Sequence, residues 1–127
     1  MDAVFFTTPN EFSFDKEKQV FVFKNSVDEL YLQSESKTED LTWQQIYFVF
    51  KENAKDSVKI FDFYHLDNFY IIDKTKYWHS DTLQSFHLYS NTQYNIKNLS
   101  KHSNLHYTIA FKTDSEGKII ENDIYFN

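Results

Sequence analysis

The 127-residue sequence contains no cysteine. Disulfides, thiolate metal ligands and a cysteine nucleophile are therefore excluded. This composition is compatible with a reducing compartment, and we expect a cytoplasmic protein. The sequence also has no run of about 18 apolar residues, and no basic segment followed by an apolar one near its start. We therefore expect neither a membrane span nor export.

Glycine and proline are almost absent, with one residue of each, Gly117 and Pro9. Phosphate-binding loops and dinucleotide-binding turns need several glycines for close backbone approach, so Walker-type and Rossmann-type sites are excluded. The same scarcity argues against flexible linkers. Because 41% of the residues are apolar, enough to fill one core, we predict a single compact domain over residues 1–127.

Arginine is missing as well, since all 13 basic residues are lysines, and 19 acids give a net charge of −6. The chain therefore lacks the bidentate guanidinium that favours phosphate and guanine, and its charge repels nucleic acid, so we expect no nucleic-acid partner. The charge is unevenly distributed. Residues 1–40 hold nine acids and four lysines, a net of −5, whereas residues 74–112 hold one acid and five lysines, a net of +4.

Alternating apolar residues predict three β-hairpins, over residues 11–24, 57–73 and 105–126. The last is the clearest, because Asp114 to Gly117 places the single glycine where a tight turn needs positive φ. The central hairpin carries apolar groups on both faces, which predicts a strand covered on both sides.

Helical spacing also occurs. Five apolar residues recur at positions i, i+3, i+4, i+7 and i+11 within residues 39–54: Trp43, Ile46, Tyr47, Phe50 and Ala54. Lys55 follows the last of them. This spacing predicts a helix, although the run from Ile46 to Phe50 is also typical of a strand. Ser80 and Asp81 fit a cap for a second helix over residues 81–90, and residues 27–34 fit either a helical turn or a strand. Together these patterns predict an α+β fold, a mainly antiparallel sheet of five to six strands with one or two helices packed on it.

Catalytic and metal-binding motifs are lacking. No G-x-S-x-G sequence places a serine on a strained turn. The i, i+4 pair His102 and His106 would bind a metal on a helix, but it lies where a strand begins. We therefore predict no catalytic residue, no metal site and no cofactor, and we favour a non-enzymatic protein over an enzyme.

The strongest candidate for a binding surface is a group of acids packed into thirteen positions before the first predicted helix: Asp28, Glu29, Glu35, Glu39 and Asp40. A solvated charge run is the ordinary explanation, and Glu39 and Asp40 also complement a helix dipole. The alternative surface is basic and aromatic: Lys74, Lys76, Tyr77, Trp78 and His79.

The last hairpin consists of an aromatic strand, a turn that contains Asp and Gly-Lys, and a second aromatic strand. A predicted helix that carries a tryptophan precedes it in the chain. The residues concerned are Trp43, Tyr47, Phe61 to Tyr70 and Phe111 to Tyr125, about two thirds of the chain with the segments between them. This arrangement resembles some bacterial immunity proteins that neutralise secreted toxins. The resemblance implies binding to another protein, and it transfers no functional residue.

The sequence therefore favours a small acidic protein that binds and inhibits another protein with a basic surface, of the immunity or phage counter-defence type. The alternative is a small-molecule-binding protein or enzyme with an aromatic-lined pocket between the sheet and its helices. Homo-oligomerisation through an aromatic strand edge is a third hypothesis.

Overall fold

The computed structural model describes residues 11–35, 43–52, 58–74, 79–81, 86–101 and 106–126. Within these ranges the chain forms ten β-strands and no α-helix. The strands are β1 (Phe12–Asp15), β2 (Val20–Phe23), β3 (Glu29–Ser34), β4 (Gln45–Phe50), β5 (Ile60–Phe61), β6 (Phe69–Asp73), β7 (His79–Asp81), β8 (Gln93–Asn98), β9 (Tyr107–Thr113) and β10 (Ile119–Phe126).

The strands form two antiparallel sheets. The larger has seven strands in the order β10-β9-β8-β3-β4-β6-β7, and the smaller has three in the order β1-β2-β5. β3 lies at the centre of the larger sheet, paired with β4 on one side and β8 on the other. The fold is therefore all-β.

Period-two burial explains these strands. In β3, Leu30, Leu32 and Ser34 are fully buried, whereas the residues between them are half-buried. We call the side of the larger sheet that carries Leu30 and Leu32 the inner face, and the opposite side the outer face. The three-stranded sheet packs on the inner face, and aromatic rings join the two sheets: Phe21 lies 5.9 Å from Phe111, and Phe61 lies 5.1 Å from Phe48.

A side-chain amide also joins the two sheets at the tip of the β1–β2 hairpin. Gln19 adopts a positive φ of 57° in the turn. Its Oε1 accepts a hydrogen bond from the Ile119 amide at 3.0 Å, and its Nε2 donates to the Ile119 carbonyl at 3.0 Å. The Gln19 side chain thus forms hydrogen bonds with both the backbone amide and the backbone carbonyl of Ile119, the first residue of β10.

The predicted hairpins over 11–24 and 105–126 are confirmed, because β1 pairs with β2 and β9 pairs with β10. The predicted hairpin over 57–73 is wrong, since β5 pairs with β2 in the smaller sheet and β6 pairs with β4 in the larger one. Apolar groups on both faces indicate burial of a strand but do not specify its neighbour. Residues 27–34 fit either a helical turn or a strand, and Glu29–Ser34 of this segment form the central strand β3.

The predicted helix over 39–54 is wrong, and with it the α+β class. Gln45–Phe50 is a strand paired on both sides. Its aromatic and β-branched residues suit a pleated sheet, and burial follows period two, with Ile46 and Phe48 fully buried. Trp43, the first residue of the predicted apolar stripe, is 43% exposed. Glu39, Asp40 and Ala54 lie outside the described residues.

The predicted helix over 81–90 is also wrong where the structure describes it. Asp81 ends β7, and residues 86–89 have no helical backbone. The Phe86 amide instead donates to the Phe63 carbonyl at 2.7 Å, and the Phe86 ring lies 5.7 Å from Phe48. The Phe86 ring is thus partly buried against the core.

The β9–β10 turn shows how local hydrogen bonds act on a carboxylate. Asp114 Oδ1 accepts hydrogen bonds from the amides of Lys118 and Glu116, each at 2.9 Å. These two bonds hold the pKa of the Asp114 carboxyl below its ordinary value of 3.8, and the bond from Lys118 has the larger effect. Donors aimed at the charged form therefore favour ionised Asp114 in the folded protein.

This shift predicts an acid-sensitive hairpin. Because the folded pKa is depressed, the stabilisation is fully present above the pKa of the unfolded chain and is lost as the pH falls through the folded pKa. We expect the Asp114 carboxyl signal in NMR to titrate below pH 3.8. An Asp114→Asn variant should lose less stability than the parent protein on acidification below about pH 4. Identical acid profiles would contradict this assignment.

Candidate functional site

The outer face of β3, β4 and β6 carries a platform of three tyrosines, two aliphatic residues and one glutamate. Strand register places Glu29, Val49 and Tyr70 in one row across the three strands. The next row, about 7 Å further along, holds Tyr31, Tyr47 and Ile72. These side chains are half-buried or exposed, and Tyr70 is 40% exposed. We call these six residues the tyrosine platform.

The centre of the tyrosine platform is a pair of packed rings. The ring centroids of Tyr31 and Tyr47 lie 4.7 Å apart. Partial burial, and secondarily the neighbouring Tyr47 phenol, raise the pKa of Tyr31 above its ordinary value of 10.0. The Tyr31 phenol therefore stays neutral at physiological pH. The Lys74 ammonium lies 5.6 Å from the centroid of the Tyr47 ring.

An acid-lined cleft of about 520 Å³ opens where β3 begins, beside the first row of the platform. Its lining is Asp28, Glu29, Val49, Phe50, Glu52, Tyr70 and Lys101. We call it the acidic cleft. Three carboxylates therefore surround an apolar and aromatic surface that also holds one lysine.

The backbone of the acidic cleft is held by hydrogen bonds at the ends of strands. The fully buried Ser100 hydroxyl accepts from the amides of Asp28 at 2.8 Å and Glu29 at 3.4 Å. The Phe50 amide donates to the Asp28 carbonyl, and the Lys101 amide donates to the Asp28 carboxylate, both at 2.8 Å. The Asp28 side chain therefore has a structural role, whereas no such bond engages the carboxylates of Glu29 and Glu52 within the described residues.

A lysine that is not part of the cleft lining lies over the ring of Tyr70, which does line the cleft. The Lys51 ammonium is 5.3 Å from the centroid of Tyr70, and the Lys51 amide donates to the Asn68 carbonyl at 2.8 Å. Cations are attracted to the negative face of an aromatic ring. One face of the Tyr70 ring is thus already a position for positive charge.

The structure separates the predicted acidic residues. Asp28 and Glu29 line the acidic cleft, but Glu35 lies beyond the other end of β3. The rise of an extended strand places the Glu35 Cα about 23 Å from the Asp28 Cα. There the Asn95 amide group donates to the Glu35 carboxylate at 2.6 Å. Glu39 and Asp40 lie outside the described residues.

Of the alternative basic and aromatic surface, Lys74 contacts the tyrosine platform through Tyr47. His79 begins β7, two strands from the platform centre, and its side chain is not described. Lys76, Tyr77 and Trp78 lie outside the described residues. One residue of each predicted surface thus lies at the tyrosine platform: Glu29 belongs to it, and Lys74 contacts its Tyr47 ring.

Sequence reasoning missed Tyr31, Tyr70, Lys51, Glu52 and Lys101. They are scattered over 71 positions of the chain, and the pairing of β3 with β4 and β8, and of β4 with β6, gathers them. A period-two interpretation of Ile46 to Phe50 would have placed Tyr47 and Val49 opposite the buried set, which is the one signal that was available.

The described residues offer little for catalysis. No group of three or more His, Asp or Glu in these ranges could hold a metal ion. His65 Nδ1 lies 2.8 Å from Asp62 Oδ2, but the His65 side chain is 79% exposed and the same aspartate accepts the Tyr64 amide at 2.9 Å. That arrangement closes a turn.

Two further surface clefts are smaller. One of about 400 Å³ lies along β1 and β2 beside Tyr107, and one of about 270 Å³ lies beside Phe63 and the β9–β10 turn. The space between the sheets is filled by buried rings, among them Phe21, Phe48 and Phe61. The helices that were predicted to bound a ligand pocket are strands or non-helical segments where the structure describes them.

Comparison with known proteins adds no relative: no family model, curated protein or solved structure matches the chain. The resemblance to bacterial immunity proteins is not supported, because the segment of the Trp-bearing helix forms β4 from Gln45 onward. The fold therefore gives no support to an inhibitory or immunity function. No helix in the described ranges has the length and apolar character needed to cross a bilayer.

Proposed function

We propose that this chain is a non-enzymatic binding protein that docks a partner protein with a basic surface. The single observation that carries the proposal is the convergence of Asp28, Glu29 and Glu52 on one cleft at the end of the tyrosine platform. We further propose a cytoplasmic location, which the absence of cysteine supports.

The two parts of this surface supply different contributions to binding. Tyrosines are enriched among the residues that dominate binding energy, because a rigid ring buries a large area at small entropic cost. Carboxylates at the rim attract a basic partner over a distance of about 10 Å at moderate salt. The platform would thus provide affinity, and the acidic cleft would provide orientation and fast association.

Partner capture followed by charge reversal tests this proposal. We expect the full chain to capture a basic protein from its native host at low and moderate salt. The variant Glu29→Lys, Glu52→Lys should then associate about tenfold or more slowly at low salt, with a flatter salt dependence, in stopped-flow or surface-based kinetics. Asp28 stays unchanged, because its carboxylate accepts the Lys101 amide.

The matched control is Glu17→Lys, Glu116→Lys, which makes the same change of net charge at two exposed residues outside the acidic cleft. Its association rate should fall by much less than that of the cleft variant, and both variants should melt like the parent protein. Equal kinetics for the two variants would place the interface elsewhere. Failure to capture any partner would contradict the proposal as a whole.

A further inference from the structure

The acidic cleft combines an exposed aromatic ring with three carboxylates. Tyr70 exposes its ring there, and the Lys51 ammonium lies over that ring at 5.3 Å. No lysine of the described ranges forms an ion pair with Glu29 or Glu52. Within the described ranges the chain therefore places Lys51 over the Tyr70 ring and Lys101 in the lining of the cleft, while the carboxylates of Glu29 and Glu52 form no ion pair.

The chemistry of the cleft distinguishes between the two kinds of protein cation. A guanidinium is planar, stacks on an aromatic ring and is more weakly hydrated than an ammonium. It can also form two parallel hydrogen bonds to a carboxylate while it stacks, which an ammonium cannot. A cleft that combines an exposed ring with several carboxylates therefore favours arginine over lysine.

A second copy of this chain cannot supply that group, because the sequence contains no arginine. Self-association could offer only lysine or histidine, and a lysine already lies over Tyr70. The cation that fits the cleft best must come from a different molecule.

We propose that the acidic cleft receives an arginine side chain of the partner protein. Its guanidinium stacks on Tyr70 in place of the Lys51 ammonium and bonds to the carboxylates of Glu29 and Glu52. Val49 and Phe50, which also line the cleft, contact the aliphatic part of the side chain. This inference rests on the proposed function for the existence of a basic partner, but the preference for arginine follows from the cleft alone.

The test uses a small probe, so that it does not depend on the partner. N-acetyl-arginine-methylamide is titrated into the full chain and followed by NMR, with the lysine analogue and the neutral citrulline analogue in parallel. We expect saturable shifts around Tyr70 and Glu29 with arginine, binding roughly threefold or more weaker with lysine, and no saturation with citrulline.

Variants locate the probe. Glu29→Gln, Glu52→Gln should weaken arginine binding by about tenfold, as should Tyr70→Leu, whereas Lys51→Met should strengthen it because the competing cation is removed. Glu17→Gln, Glu116→Gln is the control and should bind like the parent protein. All these residues are exposed or half-buried, so native spectra are expected throughout.

Equal binding of arginine and citrulline, the lack of saturable shifts at millimolar arginine, or shifts that persist in the Glu29→Gln, Glu52→Gln variant would each overturn the inference. If charge reversal in the cleft slows partner association while the arginine probe fails, the arginine site is wrong and the proposed docking surface stands. If the probe binds but no partner is captured, the docking proposal is wrong and the arginine site stands.

Discussion

Replacing Phe48 by alanine is expected to lower the free energy of unfolding by about 3–5 kcal/mol. Phe48 is fully buried on the inner face of β4. Its ring lies 5.1 Å from Phe61, 5.7 Å from Phe63 and 5.7 Å from Phe86. Because Phe61 belongs to the smaller sheet, the cavity would loosen the contact between the two sheets. A loss of this size is a large part of the roughly 5–15 kcal/mol that stabilises a typical domain.

The matched control is the neighbouring residue on the same strand. Tyr47 points to the outer face, where it is half-buried against Tyr31. Tyr47→Ala should cost only about 1–2 kcal/mol, since it removes a cross-strand pair without creating an enclosed cavity. Urea unfolding followed by tryptophan fluorescence measures both variants. Similar losses for Phe48→Ala and Tyr47→Ala would contradict the alternation of inner and outer faces along β4.

Replacing Gly117 by alanine is expected to cost roughly 2–3 kcal/mol. Gly117 has a φ of +82°, a conformation that L-residues rarely adopt. A Cβ atom at this position would also lie 2.8 Å from the Leu88 carbonyl oxygen, a backbone atom that cannot move aside cheaply. Strain and steric conflict therefore add at the one glycine of the chain.

A second substitution separates these two causes. Asparagine tolerates positive φ better than alanine but introduces the same Cβ, so Gly117→Asn should recover only part of the loss. Ser115→Ala in the same turn is exposed and should change stability by less than about 0.5 kcal/mol. Thermal and urea unfolding measure the series. Full recovery in Gly117→Asn would show that φ alone governs this position and that the Leu88 contact is unimportant.

The two hairpins that sequence reasoning predicted correctly are those with short, locally determined turns. Asp114 bonds to the amides of Glu116 and Lys118, and Gly117 supplies the positive φ. The predicted hairpin over 57–73 failed because its two strands contact distant partners, β2 and β4, more extensively than each other.

The predicted acidic residues show the same difference between local patterns, which the sequence reveals, and long-range strand pairing, which it does not. The clustering of acids in the sequence drew attention to Asp28 and Glu29, which do line the acidic cleft. It also included Glu35, which the extended length of β3 carries to the opposite end of the sheet. Glu52 and Tyr70 join the cleft through the register of β4 with β3 and β6, and no pattern in the sequence specifies that register.

By itself the sequence determined the absence of thiol chemistry, the negative charge and the turns of two hairpins, since each depends on residue identity or on contacts within a few positions. Only the tertiary structure decided that Gln45–Phe50 is a strand, because its residues satisfy both helical and alternating patterns. Pairing with β3 on one side and β6 on the other selects the strand, since each neighbour satisfies a row of backbone groups and the inner face of all three is buried together. That long-range pairing also creates the tyrosine platform and the acidic cleft.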